Sequence, residues 1–212
     1  MNILFDLDGT LVDARRRLYD LFIDLTFRDA ISYDHYWDLK RSSKDHAWIL
    51  KGELGKSNEF IKKFGTDWMD RIESDHYLAF DTLFEQTMAV LSGLRDRHQL
   101  YVVTSRQSRV RAVSQLKRLG IHDYFAAILV TEQAAGKVEM IRATGLDEDP
   151  GNAVIIGDTG VDISAAHELG MASIAVLSGF RNRESLLKYR PDYIVDGIAA
   201  VPGVVDRMGT RV

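Results

Sequence analysis

The sequence predicts an α/β fold: a doubly wound, Rossmann-like parallel sheet with an α-helical segment inserted after its first strand. Three observations predict it. Short runs rich in Val and Ile recur without polar alternation, which is how strands buried on both faces of a parallel sheet read. Helical periodicities lie between those runs, giving the strand–helix–strand order of an open α/β sheet. One long stretch near the N-terminus carries all three tryptophans, no proline and no strand-like run.

The elements follow in order. Residues 3–5 form the first apolar run, which stops at FDLDGT (residues 5–10). Residues 14–84 then change character. Charges are frequent, no convincing strand occurs, and Leu18, Leu21, Phe22 and Leu25 fall at helical spacing. Gly52, Gly55 and Gly65 offer breaks between helices. Trp37, Trp48 and Trp68 read as the apolar interior of this insert rather than a platform for a ligand. The expected division is a core of residues 1–13 and 85–212 with an insert of residues 14–84. In the core, a strand at 100–103 precedes a helix at 108–119, where Val110, Val113, Leu116 and Leu119 mark one face and Gly120 supplies a stop. Strands at 127–130, 153–156, 173–177 and 193–195 follow. Between the second and third of these, Val161, Ala165, Ala166 and Leu169 mark another helical face, stopped by Gly170.

Composition narrows the function. Of 212 residues, 46% are hydrophobic and 27% charged, the balance of a globular chain rather than a disordered one. The net charge of −4 argues against a nucleic-acid backbone as partner. The absence of cysteine excludes disulfides, thiolate zinc sites and a cysteine nucleophile, and fits a reducing compartment. The apolar start is too short for a signal peptide and is broken by Asp6 and Asp8. No apolar run approaches the ~20 residues that span a bilayer. The expectation is a soluble, cytoplasmic protein with no membrane partner. Nothing in the sequence speaks to an oligomeric state.

Ligands of open α/β sheets bind beyond the carboxyl ends of the strands, so strand-end residues matter most. The first strand ends at Asp6 and Asp8, followed by Gly9 and Thr10. The strand at 100–103 ends at Thr104 and Ser105. The strand at 153–156 runs into Gly157-Asp158-Thr159-Gly160-Val161-Asp162, and Lys137 follows the strand at 127–130. Folded this way, four carboxylates, a lysine and a hydroxyl converge. Clustered carboxylates raise one another's pKa values and become tolerable around a cation. Oxygen ligands without His or Cys suit a hard ion, and Mg²⁺ where phosphate is also bound. Lys137 would neutralise further charge and hold a phosphate oxygen. Taken singly, each residue has a plainer explanation: a solvated strand end, a helix cap, a surface lysine, a first-turn acid. Together at strand ends they do not. The six histidines show no metal-binding spacing.

This set resembles the haloacid-dehalogenase-like hydrolases, in particular phosphoglycolate-phosphatase-like members with a helical cap. Four motifs in the family's order span essentially the whole chain: FDLDGT, VVTS (residues 102–105), Lys137 and GDTGVD (residues 157–162). The resemblance implies that Asp6 is a nucleophile forming an aspartyl-phosphate, and Asp8 the acid for the leaving alcohol and then the base for water. Gly9, Thr104, Ser105 and Lys137 would surround the phosphoryl group. Asp158, the Asp6 carboxylate and the Asp8 carbonyl would ligate Mg²⁺, with Asp162 acting through a bound water or by orienting Lys137. In the insert, which corresponds to the family's cap, Arg16, Lys40 and Arg41 are the candidate substrate contacts. An aspartate at position 8 favours phosphate-ester chemistry, since dehalogenating relatives carry an aromatic residue there. The expectation is a Mg²⁺-dependent phosphatase for a small phosphorylated metabolite. The alternatives are a phosphomutase, which keeps the same aspartate, and a non-catalytic protein that binds phosphorylated metabolites. The chain departs from the family pattern in lacking a proline pair after Lys137, in having Ser105 where Asn is usual, and in lacking a proline before Met88.

Overall fold

The computed structural model describes residues 1–27 and 31–209. Residues 28–30 of the expected insert and 210–212 of the expected core lie outside the described residues. The chain opens with β1 (Asn2–Phe5) and the short β2 (Val12–Asp13). Five helices follow: α1 (Arg15–Leu25), α2 (Tyr33–Arg41), α3 (His46–Gly52), α4 (Asn58–Arg71) and α5 (Asp75–Leu78). The chain returns through β3 (Thr82–Leu83) and α6 (Thr87–Arg95). It then alternates through β4 (Gln99–Thr104), α7 (Arg109–Arg118), β5 (Ala127–Val130), α8 (Lys137–Arg142), β6 (Ala153–Gly157), α9 (Gly160–Glu168), β7 (Ala172–Val176), α10 (Arg183–Leu187), β8 (Tyr193–Val195) and α11 (Val201–Gly209).

Six strands form one sheet in the order β5-β4-β1-β6-β7-β8, with every neighbouring pair parallel. The sheet is buried on both faces, so its strands carry apolar residues at odd and even positions alike. Ile3, Phe5, Val102, Val154 and Ile156 face α6, α7 and α11. Leu4, Val103, Leu129 and Ile155 face α8 and α9. Strand order reverses direction at β1, which has β4 on one side and β6 on the other. A crevice opens beyond such a switch point, so the residues following β1, β4 and β6 are brought together.

The helices of the insert start where side chains cap them. Ser32, Asp45 and Ser57 accept from the main-chain N–H three residues on, beginning α2, α3 and α4. Leu21, Phe22, Leu25, Tyr36, Trp37, Ile49, Leu50 and Phe64 form their shared apolar interior. Leu21, Phe22 and Leu25 therefore point inward as their spacing implies.

Several sequence expectations need correction. Residues 14–84 do contain a strand: β3 pairs antiparallel with β2, Val12 opposite Leu83 and Asp13 opposite Thr82. Two residues per strand are too few to show a pattern. Gly65 breaks nothing. It lies inside α4, whose Phe64 and Trp68 anchor the helix on both sides of it. Trp48 is 43% exposed, with the Lys44 ammonium 4.4 Å from its ring, and it is no part of the apolar interior. Val110 and Val161 are 79% and 58% exposed. Each sits in the first turn of its helix, where the inward positions go to other residues. In α7 these are Ala112, Gln115 and Leu116. In α9 they are Asp162, Ile163, Ala165 and Ala166. Buried Gln115 and Asp162 are polar, which an apolar pattern cannot register. Among the described residues, no helix is long and apolar enough to cross a membrane.

Candidate active site

Asp6 is the first residue beyond β1, and its N–H extends the pairing with β6 by donating to the Ile156 carbonyl at 2.8 Å. The turn that follows is tight: the N–H groups of Leu11 and Val12 both donate to the Leu7 carbonyl, and that of Gly9 to the Val12 carbonyl. Gly9 has φ +88°, and a Cβ there would run into the Asp158 carboxylate. Glycine is required at that point on both counts. The close neighbour that requires it is a side chain from the end of β6.

Lys137 begins α8, and its Nζ donates to Asp6 Oδ1 and to Asp162 Oδ1, each at 2.5 Å. The other oxygen of Asp162 accepts from the N–H and the hydroxyl of Thr159, closing a capping box at the start of α9. Asp162 thus does two things: it starts its helix and it aims Lys137 at Asp6. Burial pushes the Asp6 carboxyl up, while the Lys137 ammonium beside it pulls back down.

Asp158 is wholly buried. Its Oδ2 accepts from the Phe180 N–H at 2.6 Å, and its Oδ1 is buried without a protein partner. Burial, with Asp6 and Asp162 alongside, pushes its carboxyl well up. Oxygens of Asp6, Asp158 and Asp162 lie within 4.8 Å of one another. Three buried acids against one lysine, one of them with an orphaned oxygen, is a donor set that fits a hard divalent cation. The acids best placed to hold it are Asp6 and Asp158, since both oxygens of Asp162 are already engaged.

Asp8 sits differently from its neighbour. Arg106 grips both of its oxygens, Nε to Oδ2 and Nη2 to Oδ1, each at 2.6 Å. Arg17 adds a third bond, Nη2 to Oδ1 at 2.7 Å. Burial alone would raise the Asp8 carboxyl, but Arg106 and then Arg17 hold it well below the usual carboxylate range. Behind this clamp lies Asp81, fully buried beside β3. It is 3.2 Å from Arg17 and 3.4 Å from Arg106, and Gln115 donates to it at 2.6 Å.

A cavity of about 340 Å³ opens over these groups. Asp6, Asp8, Thr104, Ser105 and Lys137 all border it, as the strand-end argument requires. Thr104 is buried at the end of β4 and does not cap α7, a role taken by Ser108. Gly9 lies beneath, against Asp158. Arg16, Lys40 and Arg41 are not part of the wall. Arg16 points outward and pairs with Asp20. Lys40 and Arg41 meet the core through their main chain: the Lys40 carbonyl accepts from Arg181, and the Arg41 carbonyl from the Asn182 N–H and the Ser185 hydroxyl. The insert instead contributes Arg17, Trp68 and Glu73 to the wall, and the core adds Arg106, Gln133 and Phe180. Arg17 falls one turn into the first helix after FDLDGT, and Arg106 directly follows VVTS. Those positions were the only signal available, because Asp81, the partner that fixes both, carries no motif.

Known proteins resemble this chain over most of its length. A family model described as haloacid dehalogenase-like hydrolase matches residues 3–176. A phosphoglycolate phosphatase of Vibrio vulnificus is 28% identical, over 96% of this chain and 95% of its own. A pyrophosphatase, PpaX, of Bacillus pumilus is 23% identical over 96% and 95%. A haloacid dehalogenase-like family hydrolase from Streptococcus pneumoniae superposes with a TM-score of 0.78 at 26% identity, over 96% of this chain and 97% of that one.

Proposed function

The chain belongs to the haloacid dehalogenase-like hydrolases, and from that premise we propose that it is a Mg²⁺-dependent phosphatase acting on a small phosphorylated metabolite through an aspartyl-phosphate on Asp6. The observation that carries the reading is the pairing of two aspartates, two residues apart, one buried and one half-buried, in opposite settings. Asp6 faces Lys137 and the acid cluster, and Asp8 faces two arginines. Curated relatives named phosphoglycolate phosphatase and pyrophosphatase support a small phosphorylated substrate.

Asp6 attacks phosphorus with a carboxylate oxygen, forming the Asp6–phosphorus bond as the bond from phosphorus to the ester oxygen breaks. Lys137 is held protonated by Asp162 and Asp6 despite its burial. It keeps Asp6 in line and places positive charge beside the transferring oxygens. Thr104 offers its hydroxyl from the end of β4. Asp6 and Asp158, with the Asp8 carbonyl, would hold Mg²⁺, which when bound offsets the charge of the phosphoryl oxygens and orients the group. Asp8 gives a proton to the departing oxygen and later removes one from the water that hydrolyses the aspartyl-phosphate. A carboxylate gripped by two guanidinium groups cannot carry that proton. Asp8 must turn out of its clamp to act as the acid.

The test is release of phosphate from p-nitrophenyl phosphate by the wild type and by Asp6→Asn, with Mg²⁺ and with chelator. Release that depends on Mg²⁺ and vanishes in Asp6→Asn is expected. Release that survives the substitution would sink the mechanism.

A further inference from the structure

We propose that Trp37 and Phe180 are positioning residues for Asp158, so that docking of the insert on the core sets the affinity of the cation site. This rests on the ligand role given to Asp158 above and adds a coupling to it.

The segment between β7 and α10 is pinned to the site on one side. The Phe180 N–H donates to Asp158 Oδ2 at 2.6 Å, while Oδ1 has no protein partner. Gly179, one residue earlier, lies so close to the same carboxylate that a Cβ there would collide with it. The direction in which Asp158 points therefore depends on where residues 179 and 180 stand.

The other side of the segment is pinned to the insert. The Phe180 ring stacks on that of Trp37 in α2, with centroids 5.5 Å apart and planes 20° apart. The last carbonyls of a helix have no donor within it, and here the core supplies donors to the end of α2. Arg181 Nη1 donates to the Lys40 carbonyl at 2.8 Å, and the Asn182 N–H to the Arg41 carbonyl at 3.1 Å. The Ser185 hydroxyl adds a bond to the Arg41 carbonyl at 3.0 Å. Three consecutive residues, 180 to 182, thus each meet α2, and the first of them also holds Asp158.

Trp37 is placed by its ring. It is buried, and its indole N–H has no hydrogen-bond partner among the described residues. A buried donor left unmade works against folding, so the polar end does not explain why an indole stands here. Its ring meets Phe180 on the core side and Tyr36 at 5.2 Å within the insert. If α2 withdraws, Phe180 loses this stack and Arg181 and Asn182 lose their acceptors. The N–H that orients Asp158 is then held less firmly, and a ligand that must be ordered at the moment of binding binds its metal more weakly.

The experiment measures Mg²⁺ affinity by titration calorimetry in the wild type, Trp37→Ala, Trp37→Phe and Leu25→Ala. Trp37 lies outside the cavity wall and is no ligand, and Leu25→Ala truncates the same apolar interior beside Phe60 and Phe64 of α4. Trp37→Ala should weaken Mg²⁺ by ~10-fold, the scale of a group that supports a metal ligand. Trp37→Phe keeps a ring and discards the unpaired N–H, and should restore most of that affinity. Leu25→Ala should leave it unchanged. Unchanged affinity in Trp37→Ala would overturn the coupling, as would an equal loss in Leu25→Ala. Should Trp37→Ala not fold, hydrogen exchange in the wild type decides. Coupling is reciprocal, so Mg²⁺ should slow exchange of the Asn182 N–H more than that of the Leu177 N–H, which bonds to the Val195 carbonyl within the core. Equal slowing at both, or none, would overturn the proposal. Mg²⁺ binding by the wild type with no effect of Trp37 would sink the coupling alone. Absence of Mg²⁺ binding by the wild type would take down the ligand set, and the coupling with it.

Discussion

At the scale of single residues, Asp158 is positioned by what its neighbours lack. A Cβ on Gly9 or on Gly179 would collide with its carboxylate, one from the turn after β1 and one from the loop after β7. The Phe180 N–H next to Gly179 fixes Oδ2 and leaves Oδ1 buried and unpaired. Gly179→Ala should therefore displace the carboxylate without replacing any proposed ligand. Shell residues around metal ligands are typically worth ~10–100-fold in affinity, so Mg²⁺ affinity measured by titration calorimetry should fall within that range. Unchanged affinity would mean that Asp158 is not held between the two glycines. Asp6, Asp8 and Asp158 were legible in the sequence because each lies in a short local run at a strand end. Gly179 was not, because the side chain that excludes a Cβ there is far away in sequence. Arg106 was illegible for the same reason, and Arg17 showed only through its place beside Arg16 just after FDLDGT: what fixes both is Asp81, which the sequence leaves unmarked.

At the scale of elements, strands buried on both faces write themselves as apolar runs, and six runs became the six strands of the sheet. Helix faces were harder to read. Polar residues sit inward on α7 and α9, and a side chain's direction on α1 or α2 depends on how the helix is rotated against its neighbours. That rotation sends Arg17 into the cavity and Arg16 outward. Lys40, on α2, is a further consequence. Burial, with Arg181 close by, pulls its ammonium down to about 8, and Asp45 only partly offsets this. Its ordinary value is 10.5. Below pH 8 the charge persists in both folded and unfolded chains, so the full burial penalty applies. Between pH 8 and 10.5 the unfolded chain binds more protons than the folded one, and stability rises with pH through that window. Lys40→Met should accordingly stabilise the protein at pH 7 by on the order of 1–3 kcal/mol, a gain that fades as pH approaches 10.5. Denaturant melts at pH 7 and pH 10 check both halves. A destabilised Lys40→Met at pH 7 would show that the ammonium has a binding role instead.

At the scale of the whole molecule, the switch at β1 does what no single element can. It gathers carboxylates from the ends of β1 and β6 and from the start of α9 into one buried cluster, and brings Lys137 across from the far side of the sheet order. Such a cluster works against folding while it lacks a cation, because burial and mutual repulsion both oppose its charge. Active sites are where proteins carry this kind of cost. The consequence is measurable in the melting curve. A cation that binds only the folded chain stabilises it by mass action, by about 2.7 kcal/mol at a hundred times its Kd. The wild type should melt higher in Mg²⁺ than in chelator, and the difference should grow with the logarithm of Mg²⁺ concentration. Asp158→Asn removes one buried charge, keeps an oxygen for the Phe180 N–H, and loses a ligand. It should melt higher than the wild type in chelator and show little or no shift with Mg²⁺. The two effects have opposite signs, which separates them from general damage: a disrupted fold would lower the melting point in both solutions. A Mg²⁺ shift that survives in Asp158→Asn would place the cation elsewhere and remove Asp158 from the proposed ligand set.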